Sequence, residues 1–185
     1  MIFENAILLI GEISSGKSTL AKLLSNQLQM PIASFGGYLM HYCNENNIPE
    51  NQRGNLQDLG QFMVDSDAKG FLKKVIAYSK LNVTNVIFEG VRHLVIIDAI
   101  KEISRNCIVV FVDATYQQRL ERFLNRGKII DQMRTEDNFL VASEHYVERE
   151  VRNLKHLSSY IITSSNSINA DYAKLYEFIK TSLGY

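Results

Sequence analysis

Apolar residues fall into short unbroken runs, separated by longer stretches in which they recur every three or four positions. Residues 6–10 (AILLI) form the first run; this length, bounded by a turn, reads as a strand buried on both faces. From Lys17 the period changes, with Leu20, Leu23, Leu24 and Leu28 on one helical face. PIASF (31–35) predicts a second strand, ended by Gly36-Gly37, with a helix over 38–47. Pro49 punctuates a polar loop, and Asn55 is placed to cap a helix from Leu56 that continues to Leu81, with Gly70 as its joint. VTNVIF (83–88) predicts a third strand, followed by a helix over 93–104 and a fourth strand over 107–112. A helix over 115–126, a loop over 127–133, a charged and largely helical stretch over 134–157, a strand over 160–163 and a helix over 170–183 complete the chain.

Strands alternating with helices predict an α/β fold with a parallel sheet covered on both faces, which makes three layers. Ligands of such sheets sit at the carboxyl ends of the strands. The residues to inspect are therefore Gly11 to Ser18, Gly36-Gly37, Glu89 to Arg92, Asp113 to Thr115 and Ser164 to Asn166.

The first of these segments carries the sharpest chemistry. GEISSGKS fits G-x-x-x-x-G-K-[ST] at Gly11, Gly16, Lys17 and Ser18, between a strand and a helix as the motif requires. Such a loop turns several N–H groups toward a phosphate, and the helix after it adds unpaired amides and the positive end of its dipole. Lys17 supplies a full charge to the β/γ-phosphates and the Ser18 hydroxyl a ligand for Mg2+; Ser14, Ser15 and Thr19 complete the candidate cofactor contacts. This segment predicts binding of a nucleoside triphosphate with magnesium.

Two further clusters extend the site. Glu89 ends a strand near the loop, where a carboxylate serves Mg2+ directly or through water. Gly90 allows close approach, and Arg92 offers a planar fork for a second phosphate. Arg119, Arg122 and Arg126 step by three and four along one helical face and repel one another unless an anion sits among them. A transferring phosphoryl group needs such clamps, although Glu121 and other acidic residues offer an alternative neutralisation.

Composition narrows the classes without choosing among them. A chain of 185 residues suits a single domain over 1–185, and 46% hydrophobic with 22% charged residues is an ordinary globular balance. Lys+Arg and Asp+Glu are 20 each, which speaks against nucleic-acid or membrane partners. Cys43 and Cys107 lack metal-ligand spacing, and with no signal peptide at the N-terminus they imply a reducing cytoplasm. His41, His93, His145 and His156 show no ligand spacing, the 144–152 stretch reads mostly as a solvated face, and the aromatic residues of the last helix read as packing.

With these clusters in view, the chain resembles the nucleoside monophosphate kinase superfamily of P-loop proteins over nearly its whole length. GEISSGKST is similar to the phosphate loop of that group, FEGVR to its acidic-Gly-x-(Pro)-Arg segment after the third strand, without the proline typical of adenylate kinases, and RLERFLNRG to the start of its lid. SFGG and RGNLQDLG resemble the acceptor-binding region of adenylate-kinase-related proteins and phage-type deoxynucleotide kinases. RFLNRG to YIITSSNS is also similar to dephospho-coenzyme A kinase. The resemblance implies strand order 2-3-1-4-5, an acceptor-binding region over about 36–81 and a short lid over about 127–134. It assigns Lys17 and Ser18 to ATP and Mg2+, Glu89 to the metal and acceptor side, and Arg92 to the acceptor phosphate, with Gly36, Gly37 and Arg53 beside it. Arg122 and Arg126 would close on the transferring group, while Arg119 and Asn166 would serve the donor nucleotide.

Relatives often carry an aspartate and an arginine where this chain has Gly37 and Met40. A hydroxyl acceptor benefits from a carboxylate base, whereas a phosphate acceptor is already an anion, so Gly37 favours a (deoxy)nucleoside monophosphate. A dephospho-coenzyme A kinase-like enzyme and a nucleotide-binding switch with slow or no ATP hydrolysis stay open beside it. The implied enzyme is cytoplasmic, a monomer or homodimer, with a small-molecule nucleotide as its partner.

Overall fold

The computed structural model describes residues 2–48, 53–81, 83–125, 135–163 and 168–184, apart from the side chains of 53, 54 and 168–170. Strands β1 (Phe3–Ile10), β2 (Ile32–Ser34), β3 (Asn85–Glu89), β4 (Ser104–Asp113) and β5 (Tyr160–Thr163) form a parallel sheet in the order β2-β3-β1-β4-β5. The most apolar strand takes the middle place. From Ala6 to Ile10 every side chain of β1 is fully buried, paired with β3 on one side (Ile7 with Ile87) and β4 on the other (Ile7 with Ile108). A strand buried on both faces gains from apolar residues at every position, which is why the first run shows no alternation.

Helices cover both faces. One face packs against α2 (Phe35–Glu45), α3 (Arg53–Tyr78) and α4 (Leu94–Glu102), where Leu8, Phe35, Phe71, Phe88 and Ile97 share a core. The opposite face packs against α1 (Lys17–Leu28) and α8 (Ile168–Leu183) through Leu9, Leu24, Val110, Leu175 and Ile179. Beyond the sheet, α5 (Tyr116–Leu124) and α6 (Glu136–Ser143) close a smaller core of Ile13, Leu120, Phe123, Phe139 and Ala142, while α7 (Tyr146–Asn153) adds Val151 to the core shared with α2–α4. No helix among the described residues is long and apolar enough to cross a membrane.

Three local expectations are corrected. Gly36-Gly37 does not end β2 but forms the first turn of α2, because Ser34 is the helix cap and its Oγ accepts from Gly37 N at 3.1 Å. Helix α3 starts at Arg53, so Asn55 lies inside it. Its joint is Asp67 (φ −164, ψ 88), three residues before Gly70. There Asp67 Oδ1 caps the second half through Gly70 N at 2.8 Å, and a Cβ on Gly70 would lie 2.0 Å from Asp67 Oδ2. The charged stretch from residue 135 is largely helical, as its sequence predicts: two short helices separated at Glu144–His145 and a 3-10 turn over Leu154–Leu157.

Candidate active site

The phosphate loop spans β1 and α1 on a backbone that side chains would obstruct. Gly11 takes φ +141, and a Cβ there would sit 2.5 Å from the Val112 carbonyl oxygen. Gly16 caps α1 at φ 105, and Ser14 is also left-handed at φ 60. Lys17 is buried, its Nζ donating to the Glu12 carbonyl at 2.6 Å and to Ser15 Oγ at 3.3 Å, so the ammonium is folded over the loop. Amides, ammonium and the start of a twelve-residue helix converge on one place, the arrangement a polyphosphate requires.

Hard oxygen ligands stand beside it. Ser18 Oγ donates to Glu89 Oε1 at 2.9 Å, and Ser34 Oγ donates to Glu89 Oε2 at 2.9 Å, which brings the ends of β2, β3 and the phosphate loop together. No cluster of three or more His, Cys, Asp or Glu able to hold a metal occurs among the described residues. One hydroxyl and one carboxylate suit Mg2+, which takes few protein ligands and completes its shell with water and phosphate oxygens.

From the loop a cavity of about 220 Å³ runs between the sheet and α2–α4; Lys17, Ser18 and Glu89 line one end and Phe35, Met40, Phe71 and Ile96 the apolar walls. Gly36, Gly37, Gln57, Arg92 and His93 line it too. A Cβ on Gly36 would meet nothing within 4 Å. A second cavity, about 240 Å³, opens between α1 and the ends of β4 and β5, lined by Thr19, Leu20, Leu23, Arg122, Ile162 and Asp171.

The arginines divide. Arg122 Nη1 donates to the Ser15 carbonyl at 3.0 Å and so reaches the phosphate loop. Arg119 does not face an open anion site: it is 6% exposed, its Nη2 is 3.1 Å from Glu12 Oε1, and it lies over the Tyr116 and Phe139 rings. The anion among the like charges is Glu12, which Arg152 Nε also approaches at 3.0 Å. Burial pushes the Glu12 carboxyl up from its ordinary value, and the two arginines oppose that shift. Arg92 lines the first cavity but is ion-paired with Glu148. Asp113 is tied to Lys155 at 2.7 Å. Arg126, Asn166, the lid over 127–134 and the Arg53 side chain lie outside the described residues.

Glu148 is a site residue that charge patterning does not reveal. It sits in the stretch read as solvated, yet it is 0% exposed. Its Oε2 accepts from Ile13 N in the phosphate loop at 2.7 Å, and its Oε1 accepts from Gln57 Nε2 at 3.1 Å and from Arg92 Nη1. The available signal was Val147 and Val151, which place 147, 148 and 151 on the buried face of α7. His93, read as bland, is also in the cavity wall, held neutral by burial and by Arg92 with its pKa pushed down to about 4.

A family model described as an AAA domain matches residues 7–164. No curated protein matches the sequence. Among solved structures, a shikimate kinase from Bacteroides thetaiotaomicron superposes with TM-score 0.62 at 16% identity, covering 95% of this chain and 98% of that one. A gluconokinase from Sinorhizobium meliloti gives 0.59 at 13% identity, with 98% of each chain covered. Protein TT1252 from Thermus thermophilus gives 0.59 at 17% identity, again over 98% of each chain. These likenesses establish the fold as that of P-loop small-molecule kinases.

Proposed function

The chain belongs to the family of that AAA domain, and from this premise we propose that it is an ATP- and Mg2+-dependent phosphotransferase whose acceptor is a (deoxy)nucleoside monophosphate. The observation that carries the reading is the continuity of the phosphate loop with an apolar-walled cavity: Gly16, Lys17 and Ser18 line the same space as Phe35, Phe71 and Arg92. Phosphoryl transfer needs little covalent chemistry from the protein; it needs two phosphates held in line and their charge neutralised. Ser18 and Glu89 would hold the magnesium ion, which when bound offsets charge on the β- and γ-oxygens. Lys17 and Arg122 meet the donor phosphates from the loop side, and Arg92 presents a cation to the acceptor phosphate.

The walls favour a flat ring over a polyol. A small polyhydroxylated acid would set hydroxyls against Phe35, Leu39, Met40, Phe71 and Ile96, where those not met by Gln57, Arg92 or His93 lose hydrogen bonds to water. A nucleobase puts its faces on those side chains. The second cavity, floored by Leu20 and Ile162 with Arg122 at its side, supports seating the base of ATP on the other flank of the loop. A hydroxyl acceptor is the second reading, favoured by one observation: Glu89 is a carboxylate on the cavity wall, placed to take a proton.

The test is ADP release from ATP and Mg2+ with a panel of nucleoside monophosphates and dephospho-coenzyme A. Release only with a monophosphate, abolished by Lys17→Ala, is the expected result. Release with dephospho-coenzyme A alone would favour the hydroxyl reading. Release independent of any acceptor would make the protein an ATPase.

A further inference from the structure

Two buried side chains in the acceptor cavity carry hydrogen-bonding capacity that the protein leaves unused. Gln57 is 6% exposed, and its Nε2 donates to Glu148 Oε1 at 3.1 Å and to the Ala142 carbonyl at 3.2 Å. A carboxylate and a carbonyl accept only, so the amide cannot be turned end for end. Its Oε1 is buried and meets no donor among the described residues.

One turn along α3, Gln61 Nε2 donates to Asp65 Oδ1 at 2.7 Å, which leaves Gln61 Oε1 to face His93 Nε2 at 2.8 Å. The imidazole must therefore carry its proton on Nε2, and Nδ1 is an acceptor. His93 is 9% exposed and its ring caps no amide of α4, so no hydrogen bond reaches Nδ1 among the described residues. The i, i+4 spacing of Gln57 and Gln61 puts both on one face of α3, and Gln57 and His93 line the same cavity. Gln57 Oε1 is a buried polar atom without a partner, which is uncommon in native proteins and points to a ligand that completes it; His93 Nδ1 is a second acceptor on the same cavity wall.

We infer that Gln57 Oε1 and His93 Nδ1 read the acceptor base and select one that carries an exocyclic amine; this rests on the nucleotide-acceptor reading and names the base class within it. Both protein atoms are acceptors, and an amino group brings two N–H donors to them. A carbonyl in the same place would set lone pair against lone pair and leave both protein atoms unmet. Arg92 is the cation on that wall and remains for the phosphate, while Phe35, Phe71 and Ile96 take the ring.

Two pairs of acceptors differ mainly in amino against oxo: CMP with UMP, and AMP with IMP. With ATP and Mg2+, kcat/KM for the amino member should exceed that for its oxo partner by a factor on the order of 10². Gln57→Met and His93→Phe should each bring that ratio toward one, with KM for ATP within about twofold of the parent. Should Gln57→Met fail to fold, His93→Phe alone decides. Oxo acceptors used as well as amino ones, or a ratio unmoved by the variants, would overturn the inference and leave the nucleotide-acceptor reading standing. Consumption of none of the four, of their deoxy forms, or of GMP and dTMP would remove both.

Discussion

Replacing Glu148 by alanine withdraws one buried carboxylate from three donors on three different segments: Ile13 N of the phosphate loop, Gln57 Nε2 of α3 and Arg92 Nη1 after β3. Glu148 is 0% exposed and the Arg92 side chain 19%, so water does not replace what is lost. Breaking one partner out of a buried ion pair costs about 3–5 kcal/mol, chiefly because the other charge is stranded. Against a total stability of about 5–15 kcal/mol this is a large fraction, and at about 2–4 °C per kcal/mol the melting temperature should fall by roughly 6–20 °C. Urea denaturation of Glu148→Ala, Arg92→Leu and the double variant provides the assay. The double variant should be less destabilised than the sum of the singles, since removing both charges strands neither. Singles that add to within about 0.5 kcal/mol, or a Glu148→Ala melt within about 2 °C of the parent, would refute the reasoning.

His93 gives a pH dependence of defined sign. Burial and Arg92 lower its folded pKa from 6.5 to about 4, with Asp65 opposing, so the unfolded chain binds the extra proton first. Stability from this group is fully present above about pH 6.5 and is lost as pH falls toward 4, by up to about 3 kcal/mol. Urea midpoints of parent and His93→Phe at pH 7.5 and 4.5 check it; an equal loss in both would exclude His93 as the source. Gly11→Ala should destabilise by at least about 1–3 kcal/mol and weaken ATP binding, because φ +141 and a Cβ 2.5 Å from the Val112 carbonyl both oppose it. A parent-like melt with parent-like ATP affinity by calorimetry would contradict that.

What the sequence determined by itself is whatever its own neighbours enforce. The phosphate loop was legible because Gly11, Gly16, Lys17 and Ser18 act through a contiguous backbone flanked by β1 and α1. Unbroken apolar runs announced the strands, since a strand covered on both faces has no polar side to show. Local hydrogen bonds override composition at two places: Ser34 caps α2 and draws Gly36-Gly37 into its first turn, and Asp67, not Gly70, makes the joint of α3.

Only the tertiary structure decided which charges are spent within the protein. Arg119 against Glu12 is a pairing across 107 positions, and Ile13 against Glu148 one across 135. No periodicity encodes such partners, because they meet only after the sheet has ordered its strands and brought α5 and α7 onto the phosphate loop. The same assembly leaves Gln57 Oε1 buried without a donor among the described residues and puts His93 on the wall of the same cavity, a property of the space between segments rather than of either residue alone.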